Sequence, residues 1–277
     1  MDTQETEMRL LGVEPLKKII KCAIVSPYIK NEKPFSLLIV AKAESGKTTA
    51  MKIFRKNKGI LYITDTTAWG LQREHLTDLE KGDIKTIMMP DLITPLSKST
   101  KTRKSFIAFL NNLIEEGVCR IEHYAMRYIS DVDVKANVIT AITREELNDG
   151  RREWAKMGFL SRFIVFTYKY SMKNVIHILD EISRSDLDTS RVEEEKIELP
   201  EEEVDIFLPK EIADKLNTVA MQIGALQKLY GIRAKINLRS LIKCIAYLNG
   251  RKEVTLEDYE ELLELVTYMN LDYNIIR

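Results

Sequence analysis

Residues 37–54 read Leu-Leu-Ile-Val-Ala-Lys-Ala-Glu-Ser-Gly-Lys-Thr-Thr-Ala-Met-Lys-Ile-Phe, and this stretch decides the fold. The apolar run 37–40 predicts a short buried strand, and residues 41–46 a polar turn. Lys47, Thr48 and Thr49 then open a segment with Ala50, Met51, Ile53 and Phe54 at helical spacing. Strand, turn, Gly-Lys-Thr and helix form the setting that a phosphate-binding loop requires. Backbone N–H groups of the turn and the positive end of the helix suit a triphosphate. The candidate ligands are therefore Glu44, Ser45, Gly46, Lys47, Thr48 and Thr49. Lys47 is expected on the β- and γ-phosphates and the Thr48 hydroxyl on Mg²⁺. The usual motif begins with Gly where this chain has Ala41. Alanine tolerates positive φ poorly, so ordinary backbone is expected there. A chance Gly-Lys-Thr at a helix start is the alternative, and the flanking pattern argues against it.

The chain has 277 residues, 45% hydrophobic and 30% charged, with zero formal net charge. That length accommodates one α/β domain and a smaller one. Balanced charge gives no global attraction to nucleic acid or anionic membrane, so any such binding must be local. Cys22, Cys119 and Cys244 lack metal or disulfide spacing and fit a reducing, cytoplasmic setting. The polar N-terminus is no secretory signal, and no apolar run is long enough to span a bilayer.

Ahead of the loop, residues 7–25 have helical spacing, broken near Gly12 to Pro15. Such a helix packs on the sheet and can also place backbone against a bound adenine. After the loop, residues 60–64 and 84–89 predict strands. A loop is expected within 78–82, and a helix over 105–116. Asp91 follows the second of these strands in Pro90-Asp91-Leu92, where an acid can hold Mg²⁺ or orient the attacking water. It is the one acid expected there, which argues against fast hydrolysis. Residues 97–104 carry Lys98 and Lys101 in a loop, either solvated or touching a phosphate backbone. Residues 118–128 predict a hairpin bearing Arg120, His123, Tyr124 and Arg127, the charge and stacking that single-stranded nucleic acid uses. Residues 137–143 predict a further strand ending at Thr143. Arg162 stands just before another, 164–168, where it needs a partner. That partner is either an internal carboxylate or a neighbouring subunit's triphosphate. Residues 179–208, glutamate-rich around Pro200, predict a solvated linker with a short strand near 204–208. Helices are expected over 210–230 and 237–248, and a last one capped by Thr255 and Asp258.

Four stretches together resemble the AAA+ ATPases, most closely the branch of the minichromosome-maintenance helicases and the MoxR-type ATPases. They are Gly12-Val-Glu-Pro-Leu-Lys-Lys18, residues 37–48, Val138-Ile-Thr-Ala-Ile-Thr143 and Phe159-Leu-Ser-Arg-Phe163. The resemblance implies a P-loop α/β core with a mainly parallel sheet over 1–178, the linker 179–208 and an all-helical lid over 209–277. It implies ATP and Mg²⁺, with Asp91 as the acid, Thr143 in the sensor-1 position and Arg162 as an arginine finger. A second sensor arginine is Arg239 or Arg233, with Arg239 favoured. It further implies a homo-oligomeric ring, a hexamer, acting on DNA through the 120–128 hairpin. No separate N-terminal DNA-binding domain is seen, so a protein loader or the ring itself is expected to provide loading. So compact a version fits a virus, plasmid or other mobile replicon. A protein-remodelling ATPase and a slowly hydrolysing scaffold are the alternatives.

Overall fold

Apolar runs buried on both faces organise the chain around one parallel sheet. In this computed structural model residues 6–8, 13–124, 126–183 and 187–269 are described. The strands, in chain order, are β1 (Thr6–Met8), β2 (Ser36–Val40), β3 (Ile60–Tyr62), β4 (Thr86–Met89), β5 (Val118–His123), β6 (Met126–Val134), β7 (Asn137–Ile142), β8 (Phe163–Thr167) and β9 (Leu187–Val192). The helices are α1 (Glu14–Val25), α2 (Lys47–Lys52), α3 (Ala68–Lys81), α4 (Ile93–Leu96), α5 (Thr100–Ile114), α6 (Arg144–Lys156), α7 (Met172–Ile182), α8 (Lys210–Gln227), α9 (Ile232–Leu248) and α10 (Leu256–Val266).

The main sheet has the order β3-β4-β7-β2-β8, every pair parallel. Every residue of β2, β4 and β7 is buried, as parallel strands covered on both faces require. Side chains alternate across the sheet. Leu37 and Ile39 join the apolar cluster of α1 and α2, while Leu38 and Val40 join that of α3, α5 and α6. The connection from β2 through α2 runs one way along the sheet, and those through α3, α5 and α6 run the other. Right-handed crossovers put these two sets of helices on opposite faces. A crevice therefore opens beyond the C-terminal ends of the adjacent strands β2 and β7, the place where open α/β sheets bind ligands.

Helices α8, α9 and α10 do not build a separate core. Leu216, Leu241, Ile245 and Leu262 lie in one continuous cluster with Ile19 and Ile20 of α1 and the face of the sheet beneath.

Asn137 ties this arrangement together from a fully buried position. Its Nδ2 donates to the carbonyls of Ala23 (2.6 Å) and Phe35 (3.2 Å), and its Oδ1 accepts from the Thr86 hydroxyl (2.7 Å). Asn137→Ala removes the side-chain donor to the buried Phe35 carbonyl and the acceptor of the buried Thr86 hydroxyl, while the Ala23 carbonyl keeps the Ser26 hydroxyl at 2.9 Å. We expect a loss of about 3 kcal/mol or more, read as a lower urea midpoint at unchanged slope.

Several local expectations are corrected. Residues 6–8 are not helical but pair in parallel with β9, far along the chain at 187–192; Leu10, Leu11 and Gly12 lie outside the described residues. The loop expected within 78–82 is helix to Lys81, stopped by Gly82 at φ +77°. The 97–104 loop gives way to helix at Thr100, because the Ser99 side chain caps α5. The linker expected over 179–208 is exposed over most of 193–203, and a few points pin it to the rest of the chain. Asn57 bonds the backbone of Glu195 and Ile197, Val204 bonds Tyr28, and Ile206 is buried. Helix α7, which no sequence expectation covered, precedes it. At the hairpin root Gly117 adopts φ +91°, and a Cβ there would meet the Asp133 Cβ at 2.6 Å. Among the described residues no helix is long and apolar enough to cross a membrane.

Candidate functional site

The crevice is lined by the 41–46 loop after β2, by Asp91 after β4 and by Thr143 after β7. Ala41 is buried and absent from the positive-φ residues, as its side chain demands. Glu44 and Gly46 both have positive φ, 60° and 75°, on either side of Ser45. Such alternation curls successive N–H groups inward into an anion-binding concavity. The N–H groups of 43–46 have no hydrogen-bond partner among the described residues, and those of Lys47, Thr48 and Thr49 begin a helix and have no intrahelical acceptor. Tyr168 and Tyr170 both donate to the Ser45 carbonyl, at 2.6 and 2.9 Å, and fix the loop from the end of β8. The Ser45 hydroxyl donates to the Lys42 carbonyl at 2.7 Å. Thr48 is exposed and Thr49 half-buried.

Lys47 points back into the loop. Its ammonium donates to the carbonyls of Lys42 (2.7 Å) and Ala41 (3.1 Å). Burial pulls its pKa down, and the charges of Glu146, Glu145 and Asp91 oppose that pull. Three carboxylates thus lie within electrostatic range of one ammonium. Asp91 accepts from the Ile93 N–H (3.0 Å) and the Thr94 hydroxyl (2.7 Å), so it also caps α4. Thr143 caps α6 in a reciprocal box, its hydroxyl donating to Glu146 Oε2 at 2.7 Å while the Glu146 N–H returns to it. Glu145 and Glu146 were missed when Asp91 was taken as the one acid. The signal was present as Thr143-Arg-Glu-Glu146, the spacing that folds a glutamate back over its own strand end.

Compared with models of known protein families and with curated proteins, the chain matches none.

Arg162 lies at the opposite end of the sheet. It precedes Phe163, which pairs with Ser36 at the start of β2. Five strand residues separate that level from the loop, about 17 Å, beyond an arginine's reach. Its Nη1 donates to the Gly158 carbonyl at 2.5 Å, and its buried Nε, 3.7 Å from Glu115, makes no hydrogen bond. Lys33 (2.5 Å) and Arg233 (3.3 Å) share the same Glu115 carboxylate, and Arg233 also donates to the Ser161 hydroxyl. Burial pushes the Glu115 carboxyl up, but the Lys33 bond and the three cations outweigh it and hold its pKa below the usual range. Burial and the neighbouring Arg233 charge pull the Arg162 pKa down, against Glu115 and Glu116. Arg239 pairs with Glu32 at 2.7 Å, also on the N-terminal side of the sheet. Arg233 and Arg239, the two candidate sensor arginines considered from the sequence, therefore both stand at this end, away from the loop.

The candidate nucleic-acid residues do not form one patch. Lys98 pairs with Asp65 at 2.7 Å near the crevice end, and Lys101 is exposed on the first turn of α5. The hairpin roots at the other end of the sheet, between α5 and β7. On it Arg120 and Arg127 both fold onto Glu122, at 2.9 and 3.4 Å, and Tyr124 is fully exposed at the tip. The His123 side chain lies outside the described residues.

Proposed function

We propose that the chain is an ATP-hydrolysing P-loop ATPase of the AAA+ type that works as a ring, its site completed by a neighbouring subunit. The observation that carries this is the split geometry. Lys47, its ammonium on the Ala41 and Lys42 carbonyls, stands at the switch-point end of the sheet within electrostatic range of Glu146, Glu145 and Asp91, whereas the under-bonded Arg162 sits at the far end of the same sheet. In this reading the N–H groups of 43–49 cradle the phosphates, and Lys47 exchanges two loop carbonyls for phosphate oxygens. The donor set, one hydroxyl and nearby carboxylates beside a phosphate loop, suits Mg²⁺, which prefers few protein ligands plus substrate phosphates. Thr48 and Asp91 are the residues to hold it, and when bound it neutralises charge between the β- and γ-phosphates. Glu146 or Asp91 takes the proton of the attacking water. Thr143 is placed to report on the γ-phosphate through its bond to Glu146. Arg162 of the next subunit stabilises the charge that develops in transfer. Helices α8–α10 act as the lid. A cavity of about 630 Å³ between the first turns of α1 and the end of α10, lined by Pro15, Lys18, Leu265 and Tyr268, is of a size for the nucleoside.

DNA is the proposed polymer, engaged by the exposed hairpin tip. A protein substrate is the second reading, favoured by the pairing of both hairpin arginines with Glu122. ATPase rate with and without single- and double-stranded DNA, at two salt concentrations, separates them. A DNA motor is stimulated by DNA, and the stimulation weakens as salt rises. Turnover indifferent to DNA at both salts overturns the DNA reading.

A further inference from the structure

We infer that helix α7 of one subunit docks against the turn between α8 and α9 of the next copy, and that this seam closes the shared site. The inference rests on the shared-site reading above. Helix α7 has no buried residue, yet Met172, Ile176, Leu179 and Ile182 align along it, from 44% exposed at Ile182 to 74% at Met172. A helix with an apolar stripe at this spacing needs a surface to cover it. The α8–α9 turn offers a second apolar surface, in which Tyr230 is 95% and Ile232 68% exposed. That turn is held rigidly. A Cβ on Gly231, at φ +79°, would meet the Ala220 carbonyl oxygen at 2.5 Å, and one on Gly224 would meet the Gly231 nitrogen at 2.6 Å.

The position of each surface identifies the occupant as a second copy of this chain. Helix α7 starts two residues after Tyr170, whose hydroxyl holds the Ser45 carbonyl of the phosphate loop. Ile232 adjoins Arg233, which shares Glu115 with Arg162. One apolar surface therefore borders the Lys47 half of the site and the other borders the Arg162 half. Bringing Arg162 of one copy to the crevice of the next brings the two surfaces together. Their charged surroundings are complementary. Asp180 and Glu181 flank the far end of α7, although Lys173 stands at its start, while Lys228, Arg233 and Lys235 flank the turn. Pairing α7 with α7 would leave Arg162 outside both crevices. The contact is accordingly head-to-tail, the kind that generates rings when its rotation closes.

Leu179→Asp and Ile232→Asp test this by sedimentation with a slowly hydrolysed ATP analogue. Both side chains are exposed, and circular dichroism with urea unfolding checks that each variant folds. The wild type is expected to assemble, and each variant alone to remain a monomer that still binds nucleotide. Their equimolar mixture is expected to form dimers and no larger species, because one intact seam survives. Assembly of either variant on its own overturns the seam while leaving the shared site standing. A wild type that binds the analogue yet stays monomeric overturns the seam and the shared site together, leaving the nucleotide-binding role of Lys47.

Discussion

Lys47→Ala is expected to weaken nucleotide binding by about 100-fold while leaving the fold intact. The ammonium is aimed into the loop, with two carbonyls at 2.7 and 3.1 Å and three carboxylates within electrostatic range. In the free protein its removal leaves those carbonyls to water, since the Lys47 side chain is only half-buried. With nucleotide bound, it leaves phosphate oxygens near Glu146, Glu145 and Asp91 with no compensating charge. Truncating one partner of a hydrogen-bonded charge pair costs about 3 kcal/mol, or about 100-fold in Kd. Titration with a fluorescent ATP analogue reads this directly, and the urea midpoint should stay within about 0.5 kcal/mol of wild type. An unchanged Kd would remove Lys47 from the phosphate site.

Arg162→Ala is expected to do the opposite, keeping binding and losing hydrolysis. Its guanidinium stands about 17 Å from the loop of its own subunit, so Kd should not move. Supplying an arginine finger raises phosphoryl transfer by about 10³-fold or more, so turnover should fall by about that factor. The substitution is tolerable in the free subunit because Glu115 keeps Lys33 and Arg233. Arg162→Lys should not restore the rate, since a single ammonium lacks the planar fork.

The strand, turn and helix of residues 37–54 were legible because their requirements are local. A strand buried on both faces, a turn containing Gly46 and a helix opening on Lys47 each leave a mark within 18 residues. Ala41 illustrates the limit of motif reading, since a missing glycine costs nothing where the backbone adopts ordinary φ. Glu146 was overlooked for a different reason. Its spacing from Thr143 was visible, but its nearness to Lys47 depends on β7 lying beside β2, a sheet order that no local pattern encodes. The same holds for Arg233 and Arg239. Their helix was expected, but the end of the sheet at which they stand is set by the packing of α9 on α1. The pairing of β1 with β9 joins Thr6 to Leu187 across most of the chain and has no local periodicity to betray it. Helix α7 was readable in principle, through Ser171 and the spacing of Met172, Ile176 and Leu179, but the glutamate-rich segment beyond it drew the reading toward a linker.

The shared site is tested most directly by mixing the two variants. Lys47→Ala binds nucleotide only weakly but retains Arg162, and Arg162→Ala binds nucleotide but lacks the arginine. Each is expected to be inactive alone. Combined in equal amounts, they should regain ATPase activity at the seams where an intact crevice meets an intact Arg162. An equimolar mixture that forms mixed oligomers yet hydrolyses no faster than its components would contradict a site built from two subunits.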